Sequence, residues 1–158
     1  LKVTQIRLGT ARLTHCMRWL GLSKRCLEEA SAYVAHRMSF GQTLAAHEGV
    51  QWMLGDVAKD IQIGRLLTMQ AAWKLDQGDF ARSDISIAKI HAADTLHKAA
   101  DTAIQLLGAR GYSKDTIVEW IYRYARQARL VDGASEIHKM VLSRAYLSEG
   151  QDFFRWGV

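Results

Sequence analysis

The sequence predicts an all-α fold, an antiparallel bundle of four-helix type with one additional short helix. Three observations carry this expectation. The 158-residue chain contains no proline, the residue that breaks helix interiors and is otherwise common in loops. Apolar residues recur at helical spacing over stretches far longer than a strand. No segment gives a strong strand signal, and no internal repeat is visible.

The first helix is the clearest element. Ile6, Leu13, Leu20, Leu27 and Val34 recur every seven residues, and Gly9, Cys16, Ser23 and Ala30 form a second line three residues after the first four. This is a bundle seam with small residues where a neighbour approaches closely. The helix should run from about residue 3 to 36, which at about 1.5 Å per residue is roughly 50 Å. The segment RMSFGQT (37 to 43) loses the period and contains a glycine. A second helix follows, with Val50, Leu54, Val57, Ile61, Gly64, Ala71 and Leu75 on one face. QGDFAR (77 to 82) is a loop, and Ser83 is read as the cap of a third helix whose inner face carries Ile87, Ile90, Ala93, Ala100, Ile104 and Leu107. GARGYSKD (108 to 115) is a glycine-bearing loop, after which Thr116 and Glu119 form a capping-box pattern opening a short helix. A last helix spans about 136 to 150, and the aromatic tail FFRWGV is expected to dock on a neighbour.

Composition bounds the function. With 49% apolar and 23% charged residues the chain suits one globular domain. A net charge of +5 favours anionic partners such as phosphates or coenzyme A without choosing among them. Cys16 and Cys26 lie roughly 15 Å apart along one helix, too far for a mutual disulfide, so reduced thiols are expected. There is no secretory signal and no apolar run long enough for a membrane span, so a cytoplasmic location is expected. The chain opens on Leu1 in mid-pattern and is read as one domain of a longer polypeptide.

Sites in bundles form at loops and helix ends, and three loops here have unusual content. Arg37 stands three residues from Phe40, offering a phosphate clamp beside a stacking surface. In the stretch from Gln105 to Tyr112, which includes Ala109, the two glycines Gly108 and Gly111 let a backbone approach a ligand closely. LVDGASEIHK (130 to 139) places Asp132 and Gly133 just before the last helix. Taken singly, each has a local explanation: Arg37 a surface charge, Phe40 a core plug, the glycines helix C-caps, Asp132-Gly133 a turn, and Ser135 a cap.

Together, in order, these elements resemble the C-terminal helical domain of the acyl-CoA dehydrogenase family, in a branch with Asp at the base position. The resemblance rests on Gly21-Leu22, Arg37-x-x-Phe40-Gly41, Gln105-x-x-Gly108-x-x-Gly111-Tyr112, Arg123 and Asp132-Gly133-x-x-Glu136-Ile137, and it covers essentially the whole chain. It implies FAD as cofactor, an acyl-CoA substrate, a homodimer or homotetramer, and an electron-transfer flavoprotein or another electron acceptor. The family's N-terminal helical and middle β domains are absent from these 158 residues, so the isolated domain is expected to be inactive.

Residue by residue, the resemblance makes Asp132 the base that removes the α proton of the thioester. Arg37 would bind the FAD pyrophosphate of the partner subunit, with Phe40 packing near the adenine end of that cofactor. Leu44, Gln105, Ala109 and Glu136 would make further FAD contacts. Arg12 and Gly133 would border the substrate. A base of this kind needs a dry, apolar site that raises its pKa. Some relatives place the base at the position of Ala11, which cannot serve. Asp is one methylene shorter than Glu, Glu48 stands where Gln is frequent, Ala134 where Thr is frequent, and Tyr124 replaces an Asp that would pair with Arg123.

Four rival functions remain at this stage. Arg123, Arg126 and Arg129 with Tyr122 and Tyr124 could track phosphates of a nucleic acid, but no reading motif accompanies them. His91, Asp94 and His97 share a helix, yet the Glu-x-x-His of di-iron bundles is missing; neither metal nor nucleic acid is expected. A flavin oxidase acting on another carbon acid would share the fold, as would a non-enzymatic oligomerisation module.

Overall fold

The computed structural model describes residues 2–155, with side-chain surroundings from Arg7 onward. The chain runs α1 (Lys2–Val34), β1 (Met38–Ser39), β2 (Gln42–Thr43), a 3-10 turn (Leu44–Ala46), α2 (Glu48–Asp76), α3 (Arg82–Leu107), α4 (Ala109–Tyr112), α5 (Val118–Gln127), α6 (Ser135–Glu149) and a closing 3-10 turn (Gly150–Phe154). The all-α expectation holds. The α1 seam is as the heptads imply: Leu13, Leu20 and Val34 are buried, and so are Cys16, Ser23 and Ala30. Ile6 belongs to the predicted seam but lies outside the described side chains.

Helix α3 is the axis of the bundle, packing against α1, α2, α5 and α6. The inner face expected for it was too narrow. Ile87, Ile90 and Ile104 are only half-buried, whereas Ile85, Ala88, Ala92, Leu96, Ala99 and Ala103 are buried. A helix surrounded on nearly all sides needs small residues all round, so the alanines carry the packing rather than one large-residue stripe. A Cβ at Gly64 of α2 would sit 2.6 Å from a Leu20 methyl, so this glycine sets how closely α2 approaches α1.

Several local expectations are corrected. The segment 37 to 43 is a two-residue ladder, Met38 opposite Thr43 and Ser39 opposite Gln42. Phe40 and Gly41 at its tip both have positive φ (50° and 82°), as a type I′ turn requires. Ser83 is not a cap: α3 begins at Arg82 behind Ala81 in left-handed conformation, and the Asp79 carboxylate accepts the Ala81 N–H. The Thr116–Glu119 capping box does not form. Helix α5 starts two residues after Thr116, so Glu119 falls at its second position and turns to Arg123 instead. Ser135 opens α6 but caps nothing; its hydroxyl is buried without a partner. The loop predicted at 108 to 115 contains the single turn α4. Phe153 and Phe154 pack on Tyr146 of α6, while the rest of the predicted tail, 156 to 158, lies outside the described residues. Among the described residues, no helix is long and apolar enough to cross a membrane.

Candidate functional site

The corner between α5 and α6 is built from charged groups on three helices. Asp132 has φ +54° and Gly133 φ +98°, so two successive residues are left-handed. Aspartate tolerates this better than most residues, and glycine does so freely. The carbonyls of both residues are held. The Asp132 carbonyl accepts the Nε–H of Arg12 at 2.9 Å and lies 3.3 Å from His138 Nε2. The Gly133 carbonyl accepts from the Lys89 ammonium at 2.8 Å. Behind these, His138 Nδ1 meets the Ser86 hydroxyl at 3.0 Å. A Cβ on Gly133 would come within 3.2 Å of His138 Nε2, so the corner closes tightly only around glycine.

The Asp132 carboxylate points back to α1, where His15 Nε2 meets Oδ2 at 3.0 Å, both side chains being 25% exposed. His15 stacks on buried Trp19 at 5.4 Å between ring centroids, and Lys89 lies 5.8 Å from the centre of the same indole. Burial lowers the pKa of Lys89, of Arg12 and of the His138 imidazole, because a charge is less stable away from water. The dry, apolar surroundings that the sequence reading required are not supplied by these residues. The groups nearest Asp132 are polar or cationic, since pinning two backbone carbonyls in the left-handed region takes strong donors.

A second cluster lies at the other end of α1. Arg37, Tyr33 and His36 share a groove of about 580 Å³ with Leu107, Arg110 and Thr116. The Leu44 N–H donates to the Arg37 carbonyl at 2.7 Å, and His47 Nε2 lies 3.1 Å from the Ser39 carbonyl, bracing the hairpin. Phe40 is not the core plug that a local reading allows: it is 96% exposed. Gln105 and Ala109 are exposed at the adjoining end of α3. Nineteen residues of helix separate His15 from Val34, the last residue of α1, about 28 Å at 1.5 Å per residue, and Arg37 lies three residues beyond. The predicted site residues therefore fall into two groups. Asp132, Gly133, Arg12 and exposed Glu136 gather at one end; Arg37, Phe40, Leu44, Gln105 and Ala109 gather at the other.

A family model for the acyl-CoA dehydrogenase C-terminal domain matches residues 1–147. The chain belongs to the acyl-CoA dehydrogenase family. It is 36% identical over 158 residues to the probable acyl-CoA dehydrogenase FadE2 of Mycobacterium tuberculosis, covering 99% of this chain and 39% of that protein. Among solved structures, glutaryl-coenzyme A dehydrogenase in its glutaryl-CoA complex is similar with a TM-score of 0.89 and 30% identity, over 99% of this chain and 40% of that one. Butyryl-CoA dehydrogenase from Megasphaera elsdenii gives 0.88 and 29%, over 92% and 38% respectively. The chain thus spans about two fifths of the length of these relatives.

In this acyl-CoA dehydrogenase domain, sequence reasoning missed His15, Lys89, Ser86 and His138. One signal was available: His15 follows Arg12 by three residues and so shares its helix face. Lys89, alone among the alanines of α3, was visible only as an anomaly. The rival clusters come apart. His91 Nε2 meets the Asp60 carbonyl at 2.8 Å, and Asp94 pairs with Arg129 at 2.9 Å, so they do not converge. Arg123 and Arg129 are engaged by Glu119 and Asp94, which breaks the basic stripe. The ion pair lost by having Tyr124 after Arg123 is replaced one turn earlier by Glu119.

Proposed function

We propose that this domain serves an FAD-dependent acyl-CoA dehydrogenase, with Asp132 as the base that takes the α proton of the thioester. The single observation that supports this best is the Asp132–Gly133 corner: a left-handed aspartate whose own carbonyl and the next are both held by cations. Such a backbone costs free energy, and strained backbone of this kind is concentrated where a side chain must be aimed. The carboxylate takes the proton as the Cα–H bond breaks, and that electron pair becomes the Cα=Cβ bond. FAD, when bound, supplies the acceptor for the hydride leaving Cβ. Arg12, beside the corner, would border the thioester, and Gly133 would give the substrate close access to the backbone. The dry surroundings that a base needs would come from the acyl chain and from the domains outside these residues.

The other end of α1 suits a dinucleotide. Exposed Arg37 offers a planar bidentate donor for a diphosphate, and Phe40 stands free on a rigid turn as a stacking surface. Leu44, Gln105 and Ala109 are grouped with it as FAD contacts, and Glu136 with the flavin near Asp132. A separation of at least about 28 Å between the two groups favours their serving two different cofactors, one in the same subunit and one in its partner. This fits a homodimer or a tetramer of dimers, with the N-terminal and middle domains provided by a longer polypeptide. Electrons would leave through an electron-transfer flavoprotein or a comparable acceptor.

The test is anaerobic flavin bleaching in the holoenzyme with a panel of acyl-CoAs. Asp132→Asn should bind the same thioesters and slow bleaching by about 10²–10⁴-fold, the usual contribution of a general base. Equal bleaching in both proteins would assign the base elsewhere. Absence of bleaching with every thioester in the wild type would move the substrate outside acyl-CoAs.

A further inference from the structure

We propose that His15 is a positioning residue for Asp132: its imidazole edge braces carboxylate oxygen Oδ2 and leaves Oδ1 free to receive the proton. The inference rests on the reading of Asp132 as the base. It follows from how little freedom the aspartate has left. Its backbone is set by φ +54° and by donors on two successive carbonyls, which leaves only the side-chain torsions. His15 Nε2, 3.0 Å from Oδ2, fixes those. The imidazole cannot swing, because it is stacked on Trp19 with its plane 20° from the indole, and Trp19 is itself buried. Among the described residues no hydrogen bond holds Oδ1, and the close approach of His15 is to Oδ2, so one oxygen is braced and the other is presented.

The tautomer follows from the same contacts. His15 Nδ1 is buried and has no partner. A proton there would be a buried donor with no acceptor, so the neutral ring carries its proton on Nε2, facing the carboxylate. When Asp132 takes the substrate's α proton on Oδ1, Oδ2 becomes the carbonyl oxygen of the acid and still faces His15 Nε2. The contact therefore survives the step, and nothing has to reorganise while the Cα–H bond breaks. A short base gains more from such an anchor than a long one, because aspartate has one torsion fewer with which to correct its aim. The other ionisable groups around this carboxylate are Arg12 on α1, Lys89 and its neighbour Cys16, and His138 and Glu136 on α6. All of them are unchanged in the variants below.

Three holoenzyme variants separate the possibilities: His15→Phe, which keeps a ring on Trp19 and removes the donor; His15→Gln, which restores a donor at the Nε2 position; and Asp132→Asn. The readouts are the limiting rate of anaerobic flavin reduction at saturating acyl-CoA, the half-saturating acyl-CoA concentration, and bound flavin. His15→Phe should lower the limiting rate by about 10- to 100-fold, the scale of a 1 Å misplacement. It should leave the half-saturating concentration and flavin content unchanged. His15→Gln should recover most of the rate. The proposal is overturned if His15→Phe matches the wild type in rate while Asp132→Asn abolishes reduction; the base assignment then stands without it. It is also overturned if Phe and Gln lose rate and flavin together, which is the signature of a structural role. If Asp132→Asn reduces flavin at the wild-type rate, the base assignment fails and this inference goes with it.

Discussion

Replacing Lys89 by methionine tests what a buried ammonium does in this bundle. Three consequences oppose one another. The charge-assisted hydrogen bond to the Gly133 carbonyl at 2.8 Å is lost, which costs about 1.5–3 kcal/mol. The contact over the Trp19 ring at 5.8 Å goes too, worth about 0.5–2 kcal/mol. Against this, a fully buried charge with no carboxylate partner among the described residues disappears, and its desolvation penalty is several kcal/mol. Methionine fills nearly the same volume. The terms leave Lys89→Met within about 1 kcal/mol of the wild type, on either side, while the Asp132–Gly133 corner loses its α3 anchor.

A pH signature accompanies this. Burial depresses the folded-state pKa of Lys89 below the unfolded value of about 10.4. Within that window the unfolded chain binds more protons than the folded one, so the wild type gains stability as pH rises. Lys89→Met lacks the gain, and the difference between the two proteins should shift toward the wild type between about pH 7 and pH 10. Denaturant unfolding at both pH values measures the difference, and flavin reduction in the holoenzyme measures the corner. A loss above about 3 kcal/mol at neutral pH would refute the argument, because the ammonium would then be net stabilising. A stability difference that ignores pH would refute it equally.

Gly133→Ala should cost at least about 1–2 kcal/mol from the left-handed backbone, more if His138 cannot yield to the new methyl, as a denaturant midpoint will report. Burial lowers the His138 pKa, so the unfolded chain binds the proton first. Stability should fall as pH drops below about 6.5, and His138→Gln should flatten that fall in unfolding curves compared at two pH values. Burial pushes Cys16 and Cys26 up to about 12, so a thiol reagent should label neither until denaturant opens the chain; rapid labelling of the native protein would contradict the packing. Phe40→Ala should change stability by less than about 0.5 kcal/mol, because the ring touches so little of its own chain, yet it should weaken flavin retention in the assembled enzyme, measured by dialysis.

The heptads of α1 made the fold legible, because a long helix with one dominant partner shows its buried line directly in sequence. Helix α3 was less legible for the opposite reason. A helix enclosed on nearly all sides has no single stripe, and Ala88, Ala92 and Ala99 carry no periodic signal strong enough to outweigh its isoleucines. The candidate residues were legible as motifs, Asp132 and Arg37 among them. Their environment was not, because it is assembled from residues far apart in sequence: Lys89 reaches Gly133 across 44 residues and Arg12 reaches Asp132 across 120. The missed caps failed by one or two positions, and at a helix end that shift changes which group can reach the free N–H.

The length of α1 has a genetic consequence. Asp132 packs on its N-terminal half at Arg12 and His15, Arg37 lies just past its C-terminus, and on the proposal above each serves a different active site of the dimer. Asp132→Asn disables the site in its own subunit, whereas Arg37→Ala disables the one next door. Co-expressed, the two variants form a mixed dimer in which both lesions fall on one site and the other keeps an intact base and an intact clamp. Two inactive alleles should therefore complement each other, whereas alleles bearing Asp132→Asn and Gly133→Ala, clustered at one end, should not.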